Sequence, residues 1–178
     1  MDTPPREKDM ARPMGRGMAW LAALALIGVL WLFFEGVQDR RTNPNRHLTV
    51  APGASSELVL KRNPAGHYLV PGLINDQPVT FMLDTGATQV ALPAKMGAQL
   101  GLRAIGPPIQ VSTANGTVTA RMTLIDELAF GPFVLRQTHA TLNPGMDDDD
   151  IVLLGMNVLK QLEFTQRGDT LILKALGQ

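Results

Sequence analysis

Asp84-Thr85-Gly86 stands at the end of an apolar run, Val79-Thr80-Phe81-Met82-Leu83, and is followed by Ala87-Thr88. A carboxylate delivered by an apolar strand is costly to bury unless hydrogen bonds or a shared proton stabilise it. Thr85 adds a hydroxyl that both donates and accepts. Gly86 permits a tight turn or the close approach of another backbone. Together these residues describe a carboxylate held rigidly at the mouth of a site, where it can take a proton from water or give one up. A plainer reading competes with this one: in an Asp-Thr-Gly turn the carboxylate can simply cap a backbone amide. A phosphoryl-transfer aspartate would need a second acid two residues on, or a following lysine. Position 86 is glycine and position 85 threonine.

Other chemistries find less support. Cysteine is absent, which removes disulfides, thiolate metal sites and cysteine nucleophiles. The serines Ser55, Ser56 and Ser112 lie outside any Gly-x-Ser-x-Gly turn. His47, His67 and His139 are isolated and read as surface or loop residues. Asp147-Asp148-Asp149-Asp150 lacks the spacing and central glycine of a calcium loop and reads as a solvated loop, so neither metal nor cofactor is expected. A formal net charge of zero gives no global field to attract nucleic acid. The methionines Met82, Met96, Met122, Met146 and Met156 are expected to fill the core.

The elements that must position Asp84 are short and β-prone. Strands are expected over Leu58–Leu60, His67–Ile74, Val79–Leu83 and Gln89–Pro93, with turns at 63–66 and 75–78. Residues 94–101 read as a helix with Met96 and Leu100 on one face. Asn115-Gly116 lies between Ile109–Thr113 and Thr117–Ile125, the strongest short hairpin signal. A further strand pair is expected over Glu127–Phe130 and Phe133–Thr141. Ile151 to Leu154 is wholly apolar and stopped by Gly155. A short helix over 157–162 and a final hairpin around 167–169 complete a small closed β-barrel or sandwich.

The N-terminal part has a different character. Residues 1–17 are polar, and 18–34 (MAWLAALALIGVLWLFF) carry no charge. Seventeen helical residues span roughly 25 Å, close to the hydrocarbon thickness of a bilayer. Trp20 and Trp31 sit near the two ends, where amphipathic rings prefer the interface. The segment reads as a single uncleaved transmembrane helix, with a weak charge bias placing the N-terminus in the cytoplasm. Residues 35–56 read as a turn-rich linker, and 57–178 as the folded domain.

Phe81-Met82-Leu83-Asp84-Thr85-Gly86-Ala87 resembles the active-site strand of retropepsin-like aspartic proteases. Ile151 to Gly155 resembles their second apolar-glycine element, and Ser112 to Val118 their flap hairpin. A single span followed by such a domain is similar to the bacterial membrane-anchored subgroup. The resemblance implies an all-β retropepsin-type barrel with one or two short helices, no cofactor, and a protease domain held in the periplasm by an inner-membrane anchor. It implies a homodimer, because aspartic proteolysis uses two carboxylates sharing a proton and this domain offers only Asp84 in the required setting. Thr85, Gly86, Ala87 and Thr88 would form the active-site loop. Thr113, Ala114, Asn115, Gly116 and Thr117 would fold over a peptide substrate, and Leu153, Leu154 and Gly155 would back the site. A catalytically silent domain of the same fold, binding peptide strands or dimerising at the membrane surface, is the alternative.

Overall fold

The strand Glu57–Lys61 buries Leu58 and Leu60 and exposes Val59 and Lys61, so one face of such a strand has to be covered, while Ile151–Leu154 is apolar throughout. The computed structural model describes residues 18, 20–32, 42–113 and 116–176. The chain divides into two units, Met1–Arg40 and Arg41–Gln178. In the first, residues 20–32 form a helix, α1, whose side chains Trp20, Leu24, Ile27 and Trp31 are exposed. Among the described residues no helix is long and apolar enough to cross a membrane. Residues 19, 33 and 34 of the expected span, and the tail 1–17, lie outside the described part.

Among its described residues the second unit holds ten strands: β1 (Glu57–Lys61), β2 (Leu69–Ile74), β3 (Gln77–Leu83), β4 (Val90–Pro93), β5 (Ile105–Thr113), β6 (Gly116–Phe130), β7 (Phe133–Asn143), β8 (Ile151–Leu154), β9 (Leu162–Arg167) and β10 (Thr170–Ala175), with a short helix, α2 (Met156–Leu159). Six strands close into a barrel in the order β2-β3-β8-β4-β7-β6, and Gly72 opposite Phe130 returns β6 to β2. β5 extends this sheet as the outer arm of the β5–β6 hairpin, while β1, β10 and β9 form a separate antiparallel sheet. Phe81, Phe130, Ile125, Leu92 and Leu154 are fully buried in the core, with Phe81 edge-on to Phe130 at 6.0 Å between ring centres. Gly72 makes room for this packing, since a Cβ there would strike the Phe81 ring and the Ala129 carbonyl.

Four expectations change. Residues 94–101 are not a helix. A 3-10 turn covers Ala94–Met96, and the chain continues as hydrogen-bonded turns to Leu102, whose amide donates to the Gly97 carbonyl at 2.8 Å. The strands expected at 117–125 and 127–130 are one fifteen-residue strand, because β6 serves β7 along its whole length. None of the five methionines named above is fully buried; Met96 and Met156 pack against the edge of the core. The expected linker is docked onto the domain over residues 42–53. Asn45, 2% exposed, donates from Nδ2 to the carbonyls of Lys61 and Leu69 (both 2.8 Å) and accepts from the Lys61 amide at 2.8 Å. The amides of Ala51 and Gly53 donate to the carbonyls of Gly131 and Pro132. Asn45→Ala removes the side-chain partner of three backbone groups, one of them buried, and is expected to destabilise the domain by about 2 kcal/mol, read as a lowered urea midpoint at unchanged slope.

Candidate active site

β3 is fixed on both sides before it delivers Asp84. It pairs antiparallel with β2 and parallel with β8, with Leu83 opposite Leu154. The Leu83 amide donates to the Tyr68 carbonyl at 3.0 Å, and the Asp84 amide to the Leu154 carbonyl at 3.2 Å. The chain then turns sharply. The Gly86 amide donates to Asp84 Oδ1 at 2.8 Å, and the Ala87 amide to the Asp84 carbonyl at 3.3 Å. The carboxylate therefore caps its own turn, and its second oxygen is left for other chemistry. Asp84 is half-buried, while Thr85 and Gly86 are exposed.

The far side of this loop rests on α2. The first amides of a helix have no partner within it. Here the Met156 amide donates to the Ala87 carbonyl at 2.8 Å and the Asn157 amide to the Thr88 carbonyl at 3.0 Å. Gly155 is required by this contact: a Cβ would run into the Gln89 carbonyl and lie 2.8 Å from the Ala87 oxygen. The structure thus brings Leu153, Leu154 and Gly155 against the Asp84 loop.

Asn157 was not singled out by sequence, yet it ties three elements together. Its Oδ1 accepts from the Val90 amide at 3.0 Å and its Nδ2 donates to the His139 carbonyl at 2.8 Å. An asparagine at a helix start looks like any capping residue, so nothing in the sequence marks these long-range bonds. Asn157→Ala should cost about 2 kcal/mol. Asn157→Asp keeps the acceptor for Val90 but sets a carboxylate oxygen against the His139 carbonyl, so its denaturant midpoint should fall no higher than that of alanine.

Asp84 opens into a cleft of about 240 Å³ walled by Tyr68, Leu83, Leu159, Leu171 and Phe164, and it is the only acid in that lining. The Tyr68 hydroxyl is buried with no hydrogen-bond partner among the described residues. The β5–β6 hairpin pairs Thr113 with Gly116 and Ser112 with Thr117, and Thr113 Oγ1 donates to the Gly116 carbonyl at 2.8 Å. Ala114 and Asn115 at its tip lie outside the described residues, and Thr113, Gly116 and Thr117 do not line the cleft. His47, His67 and His139 are exposed. The acidic run lies apart from the cleft: Asp147 Oδ1 accepts from the Lys95 amide at 3.0 Å and Asp150 sits 2.8 Å from Lys95 Nζ. The hydrogen bond to Asp150 holds the Lys95 ammonium above the usual lysine range.

The model of the gag-polyprotein putative aspartyl protease family matches residues 70–161, from β2 through α2. The chain is 31% identical over 121 residues to an uncharacterized protein in the cobV 5' region of a Sinorhizobium species, a match covering 66% of this chain and 52% of that protein. It is likewise 31% identical over 121 residues to uncharacterized protein RP867 of Rickettsia prowazekii, covering 66% and 51%. It spans about half the length of these curated relatives. The crystal structure of a retropepsin-like aspartic protease from Rickettsia conorii superposes with a TM-score of 0.56 at 29% identity, covering 67% of this chain and 90% of that one.

Proposed function

The chain belongs to the gag-polyprotein putative aspartyl protease family, with a retropepsin-like fold, and we propose that it is an aspartic endopeptidase whose active unit is a symmetric pair of chains, each supplying Asp84. One observation carries this reading: a single carboxylate, fixed by the backbone of its own turn, stands in a cleft that holds no second acid. Peptide hydrolysis by carboxylates needs two of them sharing one proton. The ionised one takes a proton from water, whose oxygen attacks the peptide carbonyl carbon. The protonated one gives its proton to the carbonyl oxygen. Collapse of the tetrahedral intermediate breaks the C–N bond, with a proton passing to the amine, and the pair is left with one shared proton again. Residues 113–117 close over the bound peptide and exclude water.

The test is cleavage of a synthetic peptide library by the full chain, across pH and protein concentration. Rate per chain should fall on dilution as pairs separate. A rate per chain that stays constant over a wide dilution range, with self-association absent, would remove the paired mechanism.

The anchor belongs to the same proposal. Residues 18–34 hold the chain in the bacterial inner membrane with the protease domain in the periplasm, and the exposed apolar side chains of residues 20–32 support this. The full chain should stay with the membrane pellet after an alkaline wash. A chain beginning at residue 42 should appear in the supernatant.

A further inference from the structure

The walls of the Asp84 cleft come from two sheets. Leu83 and Asp84 stand at the end of one barrel strand and Tyr68 just before another, while Phe164, Gln166 and Leu171 belong to the separate β1-β10-β9 sheet. Among the described residues no strand of one sheet pairs with a strand of the other. The alignment of the cleft therefore depends on the side chains and connections that bridge the two.

Asn45 is such a bridge. Its Nδ2 donates both hydrogens, one to the Lys61 carbonyl at the end of β1 and one to the Leu69 carbonyl at the start of β2, and its Oδ1 accepts from the Lys61 amide. A single buried side chain thus holds both sheets at one point. The backbone around it is itself fastened. Asn63 Nδ2 donates to the Thr42 carbonyl at 2.9 Å, the Leu48 amide donates to the Asn45 carbonyl at 2.9 Å, and Leu48 packs against the core. From Leu69 the path to the carboxylate is short. The residue before it is Tyr68, whose carbonyl accepts from the Leu83 amide, and Leu83 delivers Asp84. A plainer role for Asn45 would be to tie an N-terminal segment to the fold. The amides of Ala51 and Gly53 already do that, and a tie needs one sheet, whereas Asn45 engages two.

We infer that Asn45 is a positioning residue for Asp84: it fixes the two walls of the cleft against each other, and the working domain begins at residue 42 rather than at 57. Residues 42–53 lie outside the part matched by the family model, residues 70–161. The effect on activity rests on the paired-Asp84 reading; the effect on the cleft does not. Being buried, Asn45 touches no substrate and acts through Leu69, Tyr68 and Leu83. Its loss therefore shows in kcat more than in KM, because the peptide still binds while the carboxylate is displaced.

The chain has one tyrosine, Tyr68, and it lines the cleft. Isotope-labelled tyrosine in the full chain, held in detergent, gives one ring signal by NMR that reports the cleft whether or not the chain cleaves anything. Asn45→Ala should shift that signal. It should also lower kcat about tenfold per folded chain, with KM little changed, at chain concentrations where the rate per chain no longer rises. Asn75→Ala is the matched control. Asn75 makes the same kind of bonds, from Nδ2 to the Leu100 carbonyl at 2.9 Å and to Oδ1 from the Glu127 amide at 3.1 Å, and none of these three residues borders the cleft. That variant should lose stability and leave both the Tyr68 signal and kcat in place. Where Asn45→Ala does not fold, Leu48→Ala loosens the same segment from the core and is read in the same way. A Tyr68 signal that stays in place, a kcat that stays in place in an active chain, or equal changes from Asn75→Ala overturns the inference. A wild-type chain that cleaves nothing removes the protease reading alone. The Tyr68 signal then decides by itself: a shift confined to Asn45→Ala supports the bridge, and no shift overturns it.

Discussion

Asp84→Asn should abolish peptide cleavage while leaving the fold intact: a loss of about a thousandfold or more in rate is expected, since the substitution removes both carboxylates of the symmetric pair and acid–base catalysis alone contributes about 10²–10⁴-fold. The substitution is chosen for what it preserves. An asparagine Oδ1 still accepts from the Gly86 amide, which holds the turn at 2.8 Å, and the backbone bonds to Leu154 and Ala87 do not involve the side chain. Thermal midpoint should therefore stay near wild type, separating lost chemistry from lost structure. A mixing experiment takes the argument further. If equal amounts of wild-type and Asp84→Asn chains exchange at random, roughly a quarter of the pairs carry two carboxylates. Activity of the equilibrated mixture should fall to about half of that shown by the wild-type chains alone at the same total chain concentration per wild-type chain. If the mixture keeps the full activity of its wild-type content, each chain works by itself and the symmetric site is wrong.

How much of this was readable from the residues follows from how far each signal reaches. The Asp84 strand and the Leu153-Leu154-Gly155 element stand out because an apolar run stopped by glycine is a local pattern, and both ends of their contact carry one. The hairpin at residues 113–117 announced itself through Asn115-Gly116 in the same way. Asn45 and Asn157 gave no such sign. Each sits in a turn or at a helix start, where asparagine is ordinary, while its partners lie 16, 24 and 67 residues away in sequence. The expected helix at 94–101 differs for a related reason: Met96 and Leu100 do both meet the core, but a spacing of four is equally met by consecutive turns, closed here by the Leu102 amide on the Gly97 carbonyl. The split of the strands into a six-stranded barrel and a separate β1-β10-β9 sheet is also a matter of pairing. Strand composition says which residues are buried, and not which neighbour buries them. That split is what exposes β9 as an edge and sets Phe164 beside the cleft.

Gly155→Ala should be the most damaging single substitution outside the carboxylate itself. The added methyl meets the Gln89 carbonyl group and the Ala87 oxygen, and these are backbone atoms with no rotamer to change. Relief requires either α2 or the Asp84 loop to move. The two are joined by the Met156 and Asn157 amides, so moving one strains both bonds. A destabilisation of about 3 kcal/mol is expected, at the upper end for an overpacked site. For a domain of this size that corresponds to a drop in thermal midpoint of roughly 10 °C. Activity should fall further than stability explains. The Ala87 amide donates to the Asp84 carbonyl, so a displaced Ala87 turns the carboxylate away from its position, and misplacement by about 1 Å can cost a hundredfold in rate. Met156→Ala is the matched comparison. It removes the neighbouring side chain and keeps its backbone amide, so the bond to Ala87 survives and most of the activity should be retained. Equal damage from the two substitutions would mean that the end of α2 supports the loop through side-chain packing, and that the close approach at Gly155 is incidental.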